Sequence, residues 1–154
     1  MVLIVLDIIL VLLCIIFLID RRALKSDYNA LLFQRDKFQI KFEMLNCLYD
    51  HTGKVRVLMY LKKQKCRRIA IYGLNEIGNH LYWLLIQNGI EIPFCIDNGP
   101  GQIWDADVPV LSAEEKIEGV DAIIITLNKK KFPNVANDLK CSVKTFYLED
   151  LFTE

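Results

Sequence analysis

A chain of 154 residues has room for one domain and an appendage. Its nineteen Lys and Arg balance nineteen Asp and Glu, but residues 20–65 hold eleven basic against five acidic side chains and residues 66–154 eight against thirteen. A nucleic-acid binder concentrates positive charge on its folded part, so this arrangement argues against nucleic acid as a partner. Five cysteines without a CxxC (Cys14, Cys47, Cys66, Cys95, Cys141) argue against a disulfide framework or a zinc site and suit a reducing compartment.

The apolar excess sits in residues 1–19, MVLIVLDIILVLLCIIFLI. A helix of that length is about 28 Å long, close to the roughly 30 Å of a bilayer core, so residues 1–19 are expected to be a transmembrane anchor. Arg21, Arg22 and Lys25 follow it and no basic residue precedes it. The positive-inside rule then expects a single-pass membrane protein with its amino terminus outside and everything after residue 20 in the cytoplasm. Asp7 is the one charge in the span: an intramembrane acid is a candidate functional group, and near the outer interface it is simply hydrated.

Residues 20–53 read as a helical stalk. Leu24, Tyr28, Leu31, Phe38, Phe42, Leu45 and Tyr49 follow alternating steps of four and three, with Arg35 in the missing position, which is heptad spacing. Two readings stand: a parallel coiled coil that makes a homodimer, or the face by which this helix packs on its own domain. His51-Thr52-Gly53 is expected to break the helix, and Val55 to Gln64 to form a second, short one.

Residues 54–154 carry the pattern of an α/β domain: a small parallel Rossmann-like sheet of about four to five strands, behind the anchor and stalk. Ile69-Ala-Ile-Tyr72 is an apolar strand running into Gly73, Gly78 follows, and Leu81, Leu84 and Leu85 set a helical period. Asn88-Gly89 ends that helix. Ile90–Ile96 is expected as strand two, placed near a sheet edge by Pro93, and Asp97 to Gly101 as a turn. Val108–Leu111 is a short third strand, Ser112 to Glu115 a capping box opening a brief helix, and Val120–Thr126 a buried parallel strand. A helix around Phe132–Leu139, a strand at Val143–Tyr147 and a short helix from Leu148 close the domain.

The glycine turn is the main candidate site. Amides at the start of the helix after Gly73 can take a phosphate, with Gly73, Asn75, Glu76, Ile77 and Gly78 shaping the turn. Asp97 lies nineteen residues after Gly78, where such folds place an acid for a ribose hydroxyl; Asn98 stands beside it. Thr126, Leu127 and Asn128 end the strand expected next to strand one and would line the opposite wall, and Lys129-Lys130-Lys131 could reach phosphates. The middle glycine of G-x-G-x-x-G is Asn75 here, and Glu76 would repel an anion. No Tyr-x-x-x-Lys pair, G-x-S-x-G elbow or HExxH occurs, and His51 and His80 have no relay partner in sequence, so the reading leans away from an enzyme.

At Ile69–Gly78, Ile96-Asp97-Asn98, Val120–Thr126 and Leu148-Glu-Asp-Leu-Phe152 the chain resembles Rossmann-like modules of gut Firmicutes and similar bacteria, which occur alone behind a membrane anchor or fused to glycosyltransferases and other polysaccharide-assembly proteins. More distantly it looks like the amino-terminal nucleotide-sugar-binding domain of bacterial sugar acyltransferases. The resemblance covers roughly residues 54–154. Those relatives read Tyr-Gly-x-Gly-x-x-Gly, matched at Tyr72, Gly73 and Gly78 and not at Asn75. It implies a nucleotide-sugar or NAD(P)-type ligand, and a glycosyltransferase or other polysaccharide-assembly partner, in envelope carbohydrate metabolism. The expected function is therefore a membrane-anchored nucleotide-binding accessory module. Two alternatives are a degenerate scaffold that holds a protein partner or dimerises, and an oxidoreductase completed by another chain.

Overall fold

The computed structural model describes the backbone of residues 2–99, 102–139 and 141–153, and side chains from residue 15 to 152 except 100, 101 and 140. The side chains of Asp7 and Cys14, and the Pro100–Gly101 end of the expected turn, lie outside that range. The chain divides into two units, Met1–Gln39 and Ile40–Glu154.

The first unit belongs to helix α1 (Val2–Tyr49). Here the expected membrane anchor is corrected: among the described residues no helix is long and apolar enough to cross a membrane. Most of the expected span, residues 1–14, lies outside the described side chains. From Asp20, Arg21 and Arg22 onward charged side chains recur along the helix to Glu43, so this part of α1 is not apolar enough to span a bilayer. The single-pass placement, with the amino terminus outside and a cytoplasmic domain, falls with the span on which it rested.

The second unit begins with the last turns of α1, where Met44 and Leu48 are buried and Ile40 and Leu45 pack beside them. Of the heptad positions Leu45 packs against the domain's core, whereas Leu24, Tyr28, Leu31, Phe38, Phe42 and Tyr49 are exposed. The chain turns at Asp50, whose carboxylate accepts the amides of Thr52 (2.9 Å) and Gly53 (3.2 Å) and so caps helix α2 (His51–Lys63). Gly53 therefore lies inside α2 and does not break a helix. A Cβ there would stand 2.0 Å from the Cys47 carbonyl oxygen, so glycine is what lets α2 press against the end of α1.

Five strands follow: β1 (Ile69–Tyr72), β2 (Cys95–Ile96), β3 (Val110–Leu111), β4 (Ala122–Ile125) and β5 (Lys144–Tyr147). They pair in parallel in the order β3-β2-β1-β4-β5, that of doubly wound α/β sheets. Side chains alternate across the sheet. Ile69, Ile71, Ala122 and Ile124 face a large core built with α1, α2, helix α3 (Glu76–Gln87) and helix α5 (Leu148–Thr153). Ala70, Ile96 and Ile123 face a smaller one closed by Ile117 and Leu139, where helix α4 (Val135–Asp138) is a single turn. Both faces of β1 and β4 are covered, which is why these strands read as unbroken apolar runs.

Three expectations change. Strand two is interior, between β3 and β1, and holds only Cys95 and Ile96; Pro93, which has no amide hydrogen, lies between the Arg68–Glu91 bridge and Cys95, where the pairing with β1 is interrupted. The Ser112–Glu115 capping box closes, with Glu115 Oε1 accepting the Ser112 amide at 2.6 Å, yet the chain passes into a turn and no helix follows. The helix expected around 132–139 shrinks to Val135–Asp138. Burial pushes the Cys95 thiol up to about 12, so it behaves as a small apolar side chain.

The Gly53→Ala variant should lose about 1–3 kcal/mol of stability by overpacking, read as a lower urea midpoint at unchanged m-value. Asp121 accepts the amides of Arg67 (2.7 Å) and Arg68 (2.9 Å) at the start of β1, and these bonds hold its carboxyl below the usual range. With the folded pKa depressed, its contribution is present above about pH 4 and is lost as pH falls through the folded value. Asp121→Asn should accordingly melt lower than the native chain at pH 7, and the gap should close as pH falls through the lowered folded-state value.

Candidate functional site

At the carboxyl end of β1 the Gly73 amide donates to Ile96 O (2.9 Å), and the backbone then turns with Gly73 at φ +97°, a region that favours glycine. Thr126, directly after β4, is buried; its hydroxyl lies 2.7 Å from Gly73 O and 3.1 Å from Tyr72 O and shares its proton between them. Gly78 comes from the other side, in the first turn of α3. A Cβ on it would stand 2.2 Å from Gly73 O, so only glycine lets the helix approach the turn this closely.

Three of the turn's amides, those of Leu74, Ile77 and Gly78, are bonded to the protein's own side chains. Asn75 is the N-cap of α3, and its Oδ1 accepts the amides of Ile77 (2.9 Å) and Gly78 (3.1 Å). Asp97, from the end of β2, accepts the Leu74 amide through Oδ2 at 2.6 Å and the Gly99 amide through Oδ1 at 2.7 Å. The residue that departs from the glycine fingerprint thus has a local task, satisfying helix-terminal donors that a bound phosphate would otherwise satisfy. Glu76 forms an ion pair with Lys41, and this hydrogen bond lowers its pKa.

Gly73, Asn75, Ile77, Gly78, Asp97 and Thr126 are thus gathered around one turn, with Glu76 at its outer edge. The other expected residues are directed elsewhere. Asn98 Oδ1 accepts the Ala113 amide (3.0 Å) and holds the segment after β3. Asn128 accepts the Lys131 amide (2.8 Å) and donates to Glu149 (3.2 Å), which makes it part of the seam with α5. Lys129 of the lysine trio is paired with Asp150 at 2.7 Å.

A cleft of about 220 Å³ lies on the α4 side of the sheet edge, lined by Tyr72, Asn98, Ala113, Glu114, Val135, Asp138 and Leu139. Burial raises the Tyr72 phenol, and the charges of Asp97 and Asp138 raise it further, so the field there is negative. A phosphate would enter against that field. Among the described residues, no group of three or more His, Cys, Asp or Glu is placed to hold a metal ion.

Asn79 was not among the expected site residues. It is buried, its amide donates to Asn75 O (3.1 Å) and Gln102 O (3.2 Å), and its Oδ1 accepts the Trp104 amide (2.6 Å). It therefore locks the 102–104 segment onto α3 and backs the turn. Its one signal in sequence is an amide residue one helical turn after the cap, three and four places before Tyr82 and Trp83. His80 also has a partner that spacing did not reveal: its Nε2 lies 2.8 Å from the Tyr49 hydroxyl, and Trp104 packs on it edge to face.

Comparison of the chain with protein-family models, with curated proteins and with solved structures gave no match.

Replacing Asp97 with Ala strands the Leu74 and Gly99 amides and should cost about 1–3 kcal/mol in urea unfolding. Asp97→Asn, which keeps one acceptor oxygen, should recover part of that loss.

Proposed function

We propose that this chain is an interaction module: a doubly wound α/β domain whose glycine turn is a structural joint and whose binding surface for a protein partner is the apolar stripe of α1. The observation that carries the reading is that stripe. Leu24, Tyr28, Leu31 and Phe38 are large, exposed and spaced to one face of the helix. Scattered apolar residues on a surface need no explanation, but a contiguous row of them marks an interaction site. Two features of the glycine turn support the same reading. The Leu74, Ile77 and Gly78 amides already carry charge-assisted or cap bonds, and the nearby carboxylates of Asp97, Glu114 and Asp138 oppose an anion. A nucleotide-sugar or NAD(P) would have to displace the Asp97 carboxylate from a 2.6 Å bond before reaching the Leu74 amide.

Thermal-shift titration of the full chain with NAD(H), NADP(H) and UDP-sugars at millimolar concentration discriminates the readings. The expected result is no stabilisation. A ligand with Kd of 10 μM at 1 mM would contribute about 2.7 kcal/mol and raise the melting temperature by several degrees, and such a shift would return the turn to a nucleotide role.

A further inference from the structure

We propose that the partner on the α1 stripe is a second copy of this chain, paired in parallel and in register. This rests on the interaction-module reading and names its partner. Phe17, Leu24, Tyr28, Leu31 and Phe38 fall on heptad core positions and are 63%, 72%, 61%, 65% and 68% exposed. Aromatic side chains bury about 150–250 Å² each and leucines somewhat less, so three aromatics and two leucines exposed to this extent offer at most on the order of 600 Å² per copy, or roughly 1,200 Å² for the pair. That reaches the lower bound of a specific interface.

The flanking charges select the pairing. In a parallel, in-register pair each flanking residue faces the one five places on in the other copy. Asp20 then faces Lys25 of the second copy, twice by symmetry. The next two such pairs, Asp27 with Leu32 and Gln34 with Gln39, bring no like charges together. Arg21 and Arg35 occupy the remaining core positions. Arg21 lies over the Phe17 ring at 5.8 Å and Arg35 is bonded to Asp36 at 2.8 Å. Both stems are long enough to carry their charge to the rim, and a charged residue in the seam fixes register and a two-stranded state at some cost in stability.

Leu31→Cys and Asn29→Cys full-length chains, mildly oxidised beside the native chain to read the background of its five cysteines, test the pairing. Leu31 lies on the two-fold axis of the proposed pair and Asn29 on its outer side. Leu31→Cys should give at least tenfold more disulfide-linked dimer than Asn29→Cys. In sedimentation equilibrium the native chain should be dimeric, and Lys25→Asp should weaken it roughly threefold to tenfold, with Asp20→Lys in the same chain restoring it. Equal crosslinking at the two positions, or a native chain that stays monomeric at micromolar concentration, overturns the proposal. A monomer that also ignores nucleotides leaves the interaction-module reading standing, whereas a nucleotide-induced thermal shift removes that reading whatever the oligomeric state.

Discussion

The carbonyl of Gly73 is held from two sides, and most of the domain's geometry depends on that contact. Thr126 Oγ1 donates to it at 2.7 Å from the end of β4, and Gly78 passes so near that a single added carbon would stand 2.2 Å away. β1, β4 and α3 are thereby fixed at one point. Register follows from there, with Ile71 between Cys95 on one side and Ile124 on the other. Because α3 can come this close, Leu81 and Leu85 reach the sheet and are fully buried against Ile69 and Ile71. Burying a leucine contributes about 1.5–3 kcal/mol, so this one close approach governs several such terms.

The same closeness changes what the turn can do. In an open glycine turn, helix-terminal amides and the positive end of the dipole await an anion. Here Asn75 and Asp97 occupy that place, and each has a structural reason to be there. Asn75 caps a helix that would otherwise start with bare donors, and Asp97 ties the end of β2 to the turn after β1. Asn79 adds a third tie by fastening the 102–104 segment to the base of α3. The edge of the sheet is thus knitted by short side chains, with its residual field negative from Asp97, Glu114 and Asp138.

The sheet is unevenly clothed. One face packs against α2, α3, α5 and the last turns of α1, while among the described residues the other has the single turn of α4 and irregular segments. The first face explains why the compact unit begins at Ile40, well inside the long helix: Met44 and Leu48 are core residues. Upstream of Gln39, α1 carries large apolar side chains that are exposed, and the dimer proposed above would cover that surface.

Much of the architecture was legible because it is local. An apolar run into a glycine, as at Ile69–Gly73, or a doubly apolar strand, as at Val120–Thr126, follows from period and backbone preference within a few residues. The closing helix from Leu148 did as well. The tertiary structure alone decided the rest: that β2 is two residues long and interior, and that Gly53 is a packing contact inside α2. It also decided that Asn75 and Asp97 point inward onto backbone amides. These outcomes depend on atoms distant in sequence, such as the Cys47 carbonyl beside Gly53 or the Leu74 amide within reach of Asp97. A residue's type states which bonds it is able to make, whereas the fold determines which partner is near enough to take them.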